Sequence, residues 1–176
     1  TKESIMNHLK FFLMLSWIFF VVGCEDGNEN NSTDFAEVIT SNVNEGDYLY
    51  NFSTAKQVAN DSSSSWHMKY HNLDTGTGYK MPNISLNDNV LLYIDTSSDF
   101  ESITTAPSPS SFQPEGGRMQ YGGKNTALSY DMTIHKVGVS SAIYLLYEIV
   151  TNRVFKVVFD DYDSGVIIFR FSELSN

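Results

Sequence analysis

The clearest pattern along the chain lies near its C-terminal end. Ala142 to Val150 and Val154 to Phe159 are strand-length apolar runs. A polar turn from Asp160 to Gly165 leads into a last run, Val166 to Phe171. Upstream, Tyr48-Leu49-Tyr50-Asn51-Phe52-Ser53 alternates aromatic and other residues with period two, and Gln57-Val58-Ala59 reads as its continuation. Trp66, Met68 and Tyr70 would share one face of another strand, with His67, Lys69 and His71 on the outer face. Val90 to Asp95 is a compact apolar run, Phe35 to Val43 a short strand, and Thr126 to His135 a strand that Gly138 ends.

Turn-forming clusters separate these runs: Asn44 to Asp47, Asp61 to Ser65, Asp74 to Gly78 and the Pro107-Ser108-Pro109 segment. Ser110 to Gly123 is rich in loop residues. No long stretch carries apolar residues at three-and-four spacing. Short strands bounded by Gly, Pro, Asn and Ser predict an all-β fold, an antiparallel sandwich or partly closed barrel of short strands.

The N-terminus has a different pattern. Lys2 and Lys10 precede an almost unbroken apolar stretch, Phe11 to Val22. It is short for a membrane span, which needs roughly 20 apolar residues, and it fits the core of a secretory signal peptide. Val21-Val22-Gly23-Cys24 resembles a bacterial lipobox. That resemblance implies cleavage before Cys24 and lipidation of Cys24, and acyl chains together make a stable anchor. Residues 1–23 are then a lipoprotein signal peptide, with Met6 as a candidate start. Residues 24–34 are the lipidated cysteine and a polar, Asn-rich tether, and 35–176 are the folded domain. Glu25 and Asp26 resemble the surface-export signal of Bacteroidetes lipoproteins, which implies an outer-membrane protein facing the cell exterior; the alternative is the periplasmic leaflet.

Composition narrows the chemistry. The 176-residue chain has a formal net charge of −10 and no Lys/Arg cluster, so nucleic acid is a poor partner. Its single cysteine, Cys24, excludes an intramolecular disulfide and a cysteine-ligated zinc site. No Gly-x-Ser-x-Gly elbow or phosphate-cradling loop occurs. Asp160, Asp161 and Asp163 fall in the expected turn and read as solvated charge. An enzyme is not expected, and a lipoprotein hydrolase is the weakest of three readings. His67 and His71 share a strand face, but at about 3.3 Å per residue they sit too far apart to share one ion easily.

Four segments, taken in order, resemble the HmuY family of haem-binding surface lipoproteins. They are Tyr50-Asn51-Phe52-Ser53-Thr54, Ser64-Ser65-Trp66-His67-Met68-Lys69-Tyr70, and Thr104-Thr105-Ala106-Pro107 with Phe112. The fourth is Tyr130-Asp131-Met132-Thr133-Ile134-His135 with the strands after it. The resemblance implies an HmuY-like β domain that captures non-covalent haem b at the cell surface. It implies transfer of the haem to a TonB-dependent outer-membrane receptor for iron acquisition.

It also implies a haem pocket between two loops. Met119, Met132 and His135 are the candidate axial ligands to the haem iron, with Tyr121 and Tyr130 as further haem contacts. In a regular strand Met132 would share a face with Tyr130 and Ile134 and pack in the core, while His135 would fall on the other face. Met132 and His135 could then face one iron only if the strand breaks, so pairing Met119 with one of them is geometrically easier. The alternative is a surface-anchored binding or adhesion module of the same fold that binds no haem.

Overall fold

A computed structural model describes residues 35–60 and 65–175. The expected signal peptide, Cys24 and the expected tether lie outside the described residues. The strands are β1 (Ala36–Ile39), β2 (Tyr48–Asn51), β3 (Lys56–Val58), β4 (Met68–Asp74), β5 (Lys80–Leu86) and β6 (Val90–Asp95). They continue as β7 (Gln113–Pro114), β8 (Leu128–Asp131), β9 (Lys136–Val139), β10 (Ile143–Glu148), β11 (Arg153–Asp163) and β12 (Val166–Leu174). Helical structure among the described residues is confined to two 3₁₀ turns, Phe100–Ser102 and Pro109–Ser111.

The fold is all-β, as the alternation predicts, and it is a sandwich rather than a closed barrel. One sheet has the order β1-β12-β11-β10-β6-β7, the other β3-β2-β4-β5, and β8-β9 form a separate hairpin. All these strand pairs are antiparallel. Tyr50 and Tyr70 of the smaller sheet and Tyr144, Phe155 and Phe169 of the larger belong to one buried cluster. Tyr50 meets Phe169 edge-on, with ring centroids 5.4 Å apart. Edge-to-face contacts of this kind contribute about 0.5–1.5 kcal/mol beyond area burial.

The larger sheet is covered on both faces, and its sequence shows it. On β10, Tyr144 and Leu146 join the core between the sheets, while Ile143 and Leu145 join a second cluster with Phe100 and Phe112. Those last two residues belong to the segment between β6 and β7, which folds over the outer face. Coverage on both sides explains why this stretch is continuously apolar rather than alternating. Lys156 is the polar exception on that outer face. It is 7% exposed, and its Nζ donates to the Phe100 carbonyl at 2.6 Å and the Ile103 carbonyl at 2.8 Å.

Several boundaries differ from the expectation. Lys56 to Val58 does not extend β2. It turns back at Phe52 to Ala55 and pairs with β2, Leu49 facing Val58. The expected turn at Asp160 starts later, because β11 runs on to Asp163 through an irregularity between Phe159 and Asp161. The turn itself is Ser164-Gly165. Gly165 has φ 97°, and a Cβ there would collide with the side chain of Asn42. Its carbonyl accepts from the Val43 N–H at 2.9 Å and the Tyr70 hydroxyl at 3.0 Å. One turn thus ties the two sheets together. At the other side of the larger sheet, β1 pairs with β12 from Ala36↔Phe171 to Ile39↔Ile168. Thr40 prolongs that ladder, its N–H donating to the Ile167 carbonyl at 3.0 Å and its hydroxyl accepting from the Ile167 N–H at 2.9 Å.

His67 is not on an outer face. It lies just ahead of β4 and is 8% exposed. Its Nδ1 accepts from the Phe52 N–H at 3.2 Å, which fixes the neutral tautomer with the proton on Nε2. Glu148 Oε1 stands 3.9 Å from that nitrogen. Burial pushes the His67 pKa down, and Glu148 only partly opposes it. The folded chain therefore holds His67 neutral, while the unfolded chain protonates it near 6.5. The unfolded state then binds more protons over that interval, so stability falls as pH drops through and below about 6.5. Burial lowers the His71 pKa as well, with the same sign. Urea unfolding at several pH values between 8 and 5 should show this decline, and it should be shallower in His67→Gln. An equal slope in that variant would remove His67 as a source.

Candidate functional site

The segment Thr126 to His135 is not one strand. It rises as β8, turns through Met132-Thr133-Ile134-His135, and returns as β9. The register runs Leu128↔Val139, Ser129↔Gly138, Tyr130↔Val137 and Asp131↔Lys136. No glycine or proline marks this turn. Asp131 initiates it, its Oδ1 accepting from the Thr133 N–H at 2.7 Å. That bond leads the causes that hold the Asp131 carboxyl below its ordinary range. His135 ends the turn in the left-handed region, at φ 53°.

The base of the hairpin is anchored and its tip is free. Ala127 and Leu128 are buried in the main core, and Val137 and Val139 pack against it. Met132 is 80% exposed and Ile134 60%. Packing in the core, expected for Met132 on a regular strand, is therefore corrected: the chain bends ahead of it. The same bend brings Met132 and His135 into one four-residue turn, next to Tyr130, whose hydroxyl lies 2.9 Å from His135 Nδ1. A thioether, an imidazole, a phenol and an aliphatic side chain thus share one projecting tip.

Met119 is placed differently. It is 1% exposed and belongs to the core cluster. The loop that carries it is tightly built. Glu115 accepts from the N–H of Gly117 and of Met119, both at 2.8 Å, and from the Gln120 side chain at 2.9 Å. Arg118 reaches the Leu92 carbonyl at 3.0 Å and the Pro114 carbonyl at 2.9 Å. These bonds turn the Met119 side chain inward, so it presents no thioether at the surface. Tyr121 lies on the same loop, with its N–H donating to Asn83 Oδ1 at 2.7 Å and its ring partly exposed. Glu115 and Arg118 escaped the sequence reading, because a Pro-Glu-Gly-Gly-Arg stretch looks like solvated loop.

Among the described residues, no buried side-chain nitrogen or oxygen lacks a partner. No cluster of three His, Cys, Asp or Glu residues there is arranged to hold a metal ion. A cleft of about 390 Å³ beside Phe100, Ser140 and Arg170 contains none of the candidate iron ligands. Arg170 within it is committed to Asp160 at 2.8 Å and Glu101 at 3.2 Å. The donor set of the tip suits iron bound to a porphyrin, since imidazole and thioether are both haem-iron ligands. Of the candidates, Met132, His135 and Tyr130 are brought together at the surface. The chain matches no family model, no curated protein and no solved structure.

Proposed function

We propose that the chain captures haem as cargo at the β8–β9 hairpin tip, as an HmuY-like surface lipoprotein would, and catalyses no reaction. The observation that carries this reading is the single turn holding exposed Met132 and His135 on a core-anchored hairpin. Haem brings a large apolar face and an iron centre that accepts one or two axial donors. Met132 or His135 supplies a donor, and Ile134 and Tyr130 supply apolar surface for the ring. Lipidation at Cys24 would hold the domain at the outer membrane, from which haem passes to a TonB-dependent receptor.

A haemin titration read by absorbance tests this. A saturable, sharpened Soret band is expected, and His135→Ala or Met132→Ala should weaken binding at least tenfold, about 1.4 kcal/mol. If Met132 ligates, its contribution should grow on reduction, because the soft thioether favours ferrous iron. Met119→Ala should alter stability and leave the band in place. A signal equal to that of an unrelated control protein overturns the reading.

One observation favours a second reading, a binding or adhesion module without haem. The ligand candidates lie on an open tip and outside the cleft described above, so the same apolar tip suits docking to another macromolecule.

A further inference from the structure

The backbone at His135 is costly for any residue with a side chain. At φ 53° glycine is the unstrained choice, and asparagine, aspartate and histidine are the usual substitutes. The visible partner of the histidine is Tyr130. Its hydroxyl lies 2.9 Å from Nδ1, and the two rings sit 6.2 Å apart with a 46° tilt. Tyr130 is itself fixed in the ladder opposite Val137.

We propose that Tyr130 is the positioning residue for the His135 imidazole, its hydroxyl occupying Nδ1 so that Nε2 is the nitrogen offered to iron. This rests on the haem reading above. A neutral imidazole has one nitrogen that donates and one that accepts. Binding a metal through Nε2 takes that lone pair, so the ring proton must sit on Nδ1 and find an acceptor. A phenol hydroxyl serves both states. In the free protein it donates to Nδ1 while Nε2 carries the proton. In the loaded protein it turns and accepts from Nδ1–H. Between the two, Nε2 gives its proton to water and Nδ1 takes one from water, with no net change in charge. Outer partners of this kind set ring orientation and donor strength.

Tyr130→Phe in the full-length chain tests the assignment, because it keeps the ring and removes the hydroxyl. Haemin binding should weaken about tenfold, within the range for loss of an outer partner. In the His135→Ala background the same change should add nothing, whereas a merely structural tyrosine would weaken both backgrounds. Nitrogen-15 NMR of the haem-free wild type should show one dominant His135 tautomer, protonated on Nε2, and Tyr130→Phe should give a mixture. Equal haemin affinity with unchanged ring signals in Tyr130→Phe overturns the positioning role and leaves haem capture standing. Absence of a saturable Soret band in the wild type removes haem capture and this role with it. If Tyr130→Phe loses the hairpin, the wild-type spectrum decides, and two evenly populated tautomers there overturn the assignment.

Discussion

Phe169→Ala should cost about 3–5 kcal/mol of stability, the range for truncating a fully buried phenylalanine. Phe169 is completely enclosed on β12, facing Val38 of β1 on one side and Phe159 of β11 on the other. Its ring lies 5.4 Å from Tyr50, 6.1 Å from Phe52 and 6.2 Å from Phe159. The cost depends on how far the surroundings collapse into the space left behind. Here they are rings on two hydrogen-bonded sheets, so collapse would require the sheets themselves to shift. Equilibrium urea unfolding checks this. The midpoint should fall sharply with the slope unchanged. A loss under about 1.5 kcal/mol, the size of a tolerated volume-conserving swap, would mean the aromatic core is not rigid.

Lys156→Ala should be the second largest effect, about 3 kcal/mol if the two bonds from Nζ are each worth the usual 1.5–3 kcal/mol of a charged donor and part is recovered by water. The ammonium ties Phe100 and Ile103 to the sheet by their carbonyls and sits 4.3 Å above the Phe100 ring. Burial lowers the Lys156 pKa, with Glu101 opposing, so the charge itself is held at a cost. Lys156→Met keeps the apolar stem, removes that cost and gives up the bonds, and should lose less than the alanine variant. The two variants should also differ in where they loosen the chain. In Lys156→Ala the segment over the outer face should open before the rest, seen as faster hydrogen exchange at the Ser111 and Phe112 amides. Equal exchange with an equal loss of stability would place the effect in the sheet instead.

Much of the fold was legible because strands buried on both faces read as strand-length apolar runs between turn residues. β6 has the bounds that Val90 to Asp95 suggested, and β10 and β12 lie on the apolar runs. β5 was not legible. Pro82 and Asn83 interrupt its pattern, yet it is an edge strand, where a proline costs no ladder bond. The hairpin at the candidate site was hidden for the opposite reason. Met132-Thr133-Ile134 are strand-favouring residues, and the turn is made by an aspartate carboxylate and a histidine in an unusual backbone state. Strand geometry placed Met132 and His135 on opposite faces, and the bend puts both in one turn. His67 was misplaced because period two was extended one residue beyond the start of β4. Met119 is buried because Glu115 and Arg118 turn its loop inward, which the glycine-flanked sequence gives no sign of.

The β1–β12 ladder has a mechanical meaning. β1 is the first strand of the domain and pairs directly with β12, the last. A pull along the strand axis from the chain ahead of Phe35 loads the β1 ladder bonds together, in shear, rather than peeling them one at a time. The Thr40 bonds to Ile167 stand at the far end of that ladder, ahead of the Asn42–Gly165 turn contacts. Tension reaching the domain from that side is therefore spread across the edge of the larger sheet, while the β8–β9 hairpin, which belongs to neither sheet, stays outside the loaded path.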